Sequence, residues 1–76
     1  MGRAPALTPN DVVRVLEKLG FRRIRQRGSH LRLRHPDNRV VTVPIHAGQD
    51  LGRGILSKIL RDADLTQQEF LTVLRE

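Results

Sequence analysis

The sequence contains no cysteine. Disulfides and thiolate-bound metals are thereby excluded, and the chain suits a reducing cytosol. No apolar run approaches the roughly 20 residues that a membrane-spanning helix needs. The opening MGRAPALTPN lacks the apolar stretch of about 7–15 residues that marks a secretory signal. A cytoplasmic protein with no membrane partner is therefore expected. Internal repeats, low-complexity tracts and interdomain linkers are missing as well, so residues 1–76 read as a single domain, with residues 1–8 expected to be a flexible N-terminus. A domain of this size buries only about 60% of the surface its unfolded chain exposes. Its core is small, and its stability is marginal without a partner. The acidic residues are scattered, with no His, Asp and Glu cluster at ligand spacing, so neither a metal nor another cofactor is expected.

Negative charge is scarcest in one stretch. The chain carries 14 basic and 8 acidic residues, a formal net charge of +6. Residues 22–39 hold seven of the cations, Arg22, Arg23, Arg25, Arg27, Arg32, Arg34 and Arg39, against one acid, Asp37. That segment alone accounts for +6, and the remainder, with seven basic and seven acidic residues, is neutral. Every cation in it is arginine, whose planar fork grips phosphate in two places at once. A polyanionic partner follows, and nucleic acid leads. A face charged only for solubility is the plainer reading, but solubility does not call for one-sided placement.

Punctuation and periodicity give the element order. In Thr8-Pro9-Asn10-Asp11, Thr8 is a helix N-cap, Pro9 suits the first helical position, and Asp11 complements the positive end of the helix. Val12, Val15, Leu16 and Leu19 predict a helix over 9–19, closed by Gly20. The period then drops to two. FRRIRQR, from Phe21, reads as strand one with Phe21 and Ile24 as apolar anchors. Gly28-Ser29 is a short hairpin connection. HLRLRH is strand two, and Pro36-Asp37-Asn38 is a turn. RVVTVPI, from Arg39, is strand three, with Val41, Val43 and Ile45 inward. Pro44 removes a ladder donor, so this strand lies at a sheet edge or ends there. HAGQDLGRG, from His46, is a loop. Ile55, Leu56, Ile59, Leu60 and Ala63 mark a helix over about 53–63. Thr66-Gln67-Gln68-Glu69 is a capping box opening a third helix, with Phe70, Leu71 and Leu74 on one face. The fold class is α+β in the order α-β-β-β-α-α, with a three-stranded antiparallel sheet covered by helices on one face.

Strand alternation sends Leu31 and Leu33 to the core and His30, Arg32 and Arg34 to the open face, about 6–7 Å from one to the next. Hairpin pairing brings Arg23, Arg25 and Arg27 beside them, though a one-residue slip reverses this. His30 then stands at the mouth of a cationic surface. Metal-free RNA cleavage needs a base for the 2′-hydroxyl, an acid for the departing 5′-oxygen and cations for the phosphate. Imidazole, with an ordinary pKa of about 6.5, serves as either base or acid near neutrality. Arg25, Arg27, Arg32 and Arg34 can hold the phosphates, Gly28 lets the backbone approach a ligand, and Ser29 can donate to phosphate. The same residues serve equally for binding without cleavage, and local chemistry leaves both readings open. His35, ahead of Pro36, reads as a surface turn residue. His46 follows strand three near the start of the second helix; packing is its default role and a secondary acid or base its alternative. Gly52-Arg53-Gly54 can offer amides to a phosphate, or simply loosen a loop.

Leu19-Gly20-Phe21, Gly28-Ser29-His30, Arg34-His35-Pro36-Asp37, Val43-Pro44-Ile45-His46, and Leu56 to Leu60 followed by Glu69-Phe70-Leu71 stand in the order and spacing of the HicA family. The chain resembles that family from about Asn10 to Leu74. HicA proteins are the toxin half of a bacterial and archaeal toxin–antitoxin pair. The resemblance implies a fold like that of double-stranded-RNA-binding domains, in keeping with the layout above. It also implies an mRNA interferase, a metal-independent endoribonuclease that blocks translation, neutralised by a HicB-like antitoxin protein. The family's catalytic histidine falls on His30. His46 matches a histidine to which the family gives no firm role. The chain departs at Asp64, where many members carry glycine. Against this stands a small RNA-binding module that grips its RNA without cutting it. A regulator of DNA ranks last, because no helix carries the basic and amide side chains of a recognition helix.

Overall fold

The computed structural model describes residues 7–46 and 50–76. The first helix, α1, runs Pro9–Lys18. Its start is fixed by a reciprocal capping pair: the Asp11 amide donates to Thr8 Oγ1 at 3.2 Å, and the Thr8 amide donates to Asp11 Oδ2 at 3.1 Å. Its end is fixed by Gly20, whose φ of +103° turns the chain so that the Phe21 amide donates back to the Leu16 carbonyl at 3.0 Å. Val12, Val15 and Leu16 are buried as their spacing requires, and Val13 is buried beside them.

Three strands follow: β1 (Arg22–Arg27), β2 (His30–Arg34) and β3 (Val40–Pro44). They form an antiparallel meander in the order β1-β2-β3. Gly28, at φ +56°, and Ser29 make the hairpin turn; a positive φ at the first of two turn residues is what glycine supplies without strain. β3 is an edge strand and ends at Pro44, so the missing donor costs no ladder bond inside the sheet. Two more helices complete the chain, α2 (Arg53–Ala63) and α3 (Gln67–Leu74). The Thr66–Glu69 capping box opens α3, with the Glu69 amide donating to Thr66 Oγ1 at 3.0 Å. The result is the α+β architecture of double-stranded-RNA-binding domains.

The helices cover one side of the sheet. Leu33, Val41 and Val43 from the strands meet Leu16 from α1, Ile59 from α2 and Phe70 from α3, all essentially without solvent contact. Each such side chain contributes about 1.5–3 kcal/mol on burial. Leu7 joins this core, and its carbonyl accepts from the Leu51 amide at 2.8 Å. Residues 1–6 of the expected flexible N-terminus, and residues 47–49 of the expected loop, lie outside the described residues.

Three expectations need correction. Ile24 does not anchor β1: the pairing with β2 slips between Arg23 and Arg25, so Ile24 is the extra residue of a β-bulge and is 50% exposed. Ile55 shares the face of Ile59 and Ala63 by its i, i+4 spacing, but it stands at the first turn of α2 and is 45% exposed. His35 is not a surface turn residue. Its ring packs edge-on against Phe21 at 5.1 Å, and its Nε2 donates to the Leu19 carbonyl at 3.2 Å. Its Nδ1 accepts from the Asp37 amide at 3.2 Å. His35 therefore ties the end of β2 to the turn after α1. That closeness requires glycine at Gly20, where a Cβ would lie 3.0 Å from His35 Nε2.

Asp64, the departure from the family pattern, caps α2 at φ +58° in the left-handed conformation. Glycine adopts that conformation freely and aspartate tolerates it, so the family's preference and this chain's substitution have one physical explanation.

Candidate functional site

Directly paired residues on adjacent strands point to the same side of a sheet. The two registers therefore lay out three rows on the open face: Arg27, His30 and Pro44; Arg25, Arg32 and Thr42; Arg22, Arg34 and Val40. Rows are about 6–7 Å apart along the strands and columns about 4.8 Å apart across them. The bulge at Ile24 changes the membership of this face. It turns Arg23 to the helix side, where its Nε donates to Glu17 Oε2 at 3.0 Å, and brings Arg22 round in its place. Of the three β1 arginines expected on the face, the structure brings Arg25 and Arg27 to it and removes Arg23.

A shallow hollow of about 330 Å³ crosses the first two rows, lined by Arg25, Arg27, His30, Arg32 and Thr42. No carboxylate lines it among the described residues. Among the described residues Arg22, Arg25, Arg27, Arg32 and Arg34 are in no salt bridge. Two unit charges about 6 Å apart repel by roughly 0.7 kcal/mol in water, and by more where a partner excludes water. Counterions screen this in part, and an anionic surface laid across the face would relieve it further.

Arg39, the seventh arginine of the basic segment, is spent on the fold. Its Nε donates to Asp37 Oδ2 at 2.9 Å, its guanidinium lies over the Phe21 ring at 5.1 Å, and its Nη1 donates to the Ala63 carbonyl. The bond from Arg39 holds the Asp37 carboxyl below its usual pKa. With His35 also packed on Phe21 and bonded to Asp37, this network fixes the β2–β3 turn.

Gly28 and Ser29 form the turn at the end of the first row and do not line the hollow. Gly28 carries no near neighbour where a side chain would stand, so its backbone is open to a ligand. Ser29 is half-buried, and its carbonyl accepts from the Ile45 amide. Arg34 lies one row beyond the hollow. His46 is exposed just past β3 and lines a different cavity, with Asp50 and Ile55. Thr42 is the lining residue that sequence reasoning missed. With Val41 and Val43 inward, alternation alone turns Thr42 outward, so the signal was present.

Among the described residues, no three His, Asp or Glu side chains are grouped as metal ligands. No helix there is long and apolar enough to cross a membrane. The family model described as the HicA toxin of bacterial toxin–antitoxin systems matches residues 9–65. No curated protein matches the chain.

Proposed function

The chain belongs to the HicA toxin family of toxin–antitoxin systems, and from that premise we propose that it is a metal-independent endoribonuclease that cleaves mRNA with His30 as its proton carrier. The observation that carries the reading is the lining of the hollow: one histidine, three arginines and a threonine, with no carboxylate among them. A phosphodiester seated there meets cations beside the imidazole, Arg27 across the strand and Arg32 one row along. His30 takes the proton of the 2′-hydroxyl as the 2′-oxygen attacks phosphorus. Arg25, Arg27 and Arg32 neutralise the charge that gathers on the phosphoryl oxygens. The P–O5′ bond breaks as the 5′-oxygen takes a proton from water at the open face, the His30 imidazolium returns its proton to the hydroxide so formed, and a 2′,3′-cyclic phosphate remains. Arg22 and Arg34 hold the strand further along, and the exposed Gly28 backbone and Ser29 bound the turn end of the track. Fixed guanidiniums supply the electrostatic part that a divalent cation would otherwise provide, and their charge repels such a cation.

The partner implied by the family is an antitoxin protein. A HicB-like protein with acidic groups set against Arg25, Arg32 and Arg34 would cover His30 and exclude RNA from the same face. Its binding would also raise the apparent stability of so small a domain.

The experiment is cleavage of a defined mRNA by the purified chain, with and without EDTA, and identification of the cut ends. Cutting is expected to survive EDTA and leave a 2′,3′-cyclic phosphate or its hydrolysed product. A need for Mg²⁺, or a 5′-phosphate product, would exclude this mechanism. RNA binding with no cutting at all would make the protein a binding module instead.

A further inference from the structure

A second cavity, of about 240 Å³, is lined by Pro9, Pro44, His46, Asp50, Leu51 and Ile55. It begins at Pro44, the cross-strand partner of His30, and so lies next to the first row of the open face. Its walls are apolar, and His46 and Asp50 are its polar members. The core does not account for it. Ile55 is 45% exposed, and Asp50 is exposed and takes part in no salt bridge among the described residues.

Size and chemistry together select the occupant. Pockets for drug-sized ligands run to about 300–1,000 Å³, so this one suits a single small ring system. Proline and branched aliphatic side chains give apolar contact to a flat ring, while polar groups at one side meet a polar edge. A nucleobase has two apolar faces and a polar rim. Proteins that read single-stranded RNA splay bases out of the stack, pack against their faces and hydrogen-bond their edges. A strand whose phosphate sits at His30 must send its neighbouring base somewhere, and Pro44, which lines this cavity, stands one strand spacing, about 4.8 Å, from His30. An ionised carboxylate only accepts hydrogen bonds, so Asp50 favours a base whose edge presents donors. Guanine presents two side by side, N1–H and the N2 amino group, matching the two oxygens of one carboxylate.

We infer that this cavity is a base subsite for a nucleotide flanking the phosphate at His30, and that Asp50 gives it a preference for guanine. The inference rests on the proposed path of RNA across the open face. Ile55 and Pro44 supply apolar contact common to all bases, and Asp50 supplies the discrimination.

The test is binding by short single-stranded RNAs whose scissile position carries a 2′-deoxy nucleotide to block cleavage. The base on each side is varied in turn. At one of the two positions guanine is expected to bind about tenfold tighter than cytosine, the scale of paired hydrogen bonds to a charged group in a half-open site. Asp50→Asn is expected to shrink that ratio to about twofold or less, and Ile55→Ala to weaken every base alike. Both side chains are exposed, so the variants are expected to fold, which thermal melts would check. Equal binding of all four bases by the wild type, or a guanine preference that survives Asp50→Asn, would overturn the inference and leave the cavity to a protein side chain from the antitoxin. This readout does not depend on cutting. A wild-type chain that bound with the expected preference but never cleaved would sink the nuclease reading and sustain the subsite.

Discussion

Arg27 and His30 are cross-strand partners on the rung beside the hairpin turn. Only Gly28 and Ser29 separate them in sequence, yet they project from the same face of the sheet, about 4.8 Å apart across the strands. A phosphate resting between them meets a fixed cation and a group that exchanges protons near neutrality. The two-residue turn makes this pairing local, so it survives adjustments elsewhere in the small core.

RNA binding should weaken steeply with salt. Five arginines stand on the open face outside any described salt bridge, and single-stranded RNA releases about 0.7 counterion per phosphate contact, so full engagement gives a log–log slope near −3.5. Arg25→Ala, Arg32→Ala and Arg34→Ala are each expected to make the slope shallower by about 0.7. Arg39→Ala should leave the slope unchanged and lower the melting temperature, because Arg39 is bound to Asp37, Phe21 and Ala63. An equal loss of slope in Arg39→Ala would show that the division between fold and face is wrong.

Gly20→Ala should be costly at a position with no functional contact. Its φ of +103° strains any other residue, and the added Cβ would press on His35 Nε2 at 3.0 Å. Backbone strain of this kind costs about 1–3 kcal/mol. In a domain of this size a loss of about 2 kcal/mol lowers Tm by roughly 8–16 °C. Thermal unfolding of the two proteins checks it, and a shift within 2 °C or so would contradict the close packing of His35 on the turn.

Asp64→Gly should stabilise. The residue holds a left-handed conformation at φ +58°, which glycine reaches without the Cβ penalty. A gain of about 0.5–1 kcal/mol is expected, seen as a rise of several degrees in Tm, with RNA binding unaltered. A fall in Tm would mean that the Asp64 side chain contributes more than its backbone conformation costs.

Stability should fall in acid. The Thr8 backbone and side chain hold Asp11 below its usual pKa, the Thr66 backbone and side chain do the same for Glu69, and Arg39 does so for Asp37. A carboxylate whose folded pKa lies below its unfolded one adds stability that is fully present above the unfolded value. That stability is lost as pH falls through the folded value, so the decline sets in below about pH 4. Denaturation midpoints measured from pH 7 downward follow it. Asp11→Asn is expected to flatten part of the decline, and a variant as acid-sensitive as wild type would remove Asp11 as a source.

How much of this was legible follows from which residues depend on distant ones. The caps at Thr8 and Thr66, the Gly28-Ser29 turn and the inward leucines and valines of β2 and β3 are local rules, and the element order followed from them. Phe21 and Ile24 carried a warning, because residues three apart cannot share one face of a regular strand. The bulge that resolves this, and the exchange of Arg22 for Arg23 that it causes, depend on pairing with β2 and on Glu17 in α1. His35 was misread for the same reason: its role is set by Phe21 and Leu19, which the fold brings to it. Arg39 counted toward the basic face until Asp37, Phe21 and the Ala63 carbonyl took it up.

The most direct measurement is the rate at which His30→Ala cleaves a defined mRNA, set beside its thermal melt. His30 is exposed at the edge of the hollow and contributes little to the core, so the melt should match that of the wild type. The cleavage rate should drop by a factor of about 100 or more, the range of a lost general acid or base, while binding retains its salt dependence. A folded His30→Ala protein that still cuts at the wild-type rate would take His30 out of the chemistry and leave the cationic face as a binding surface alone.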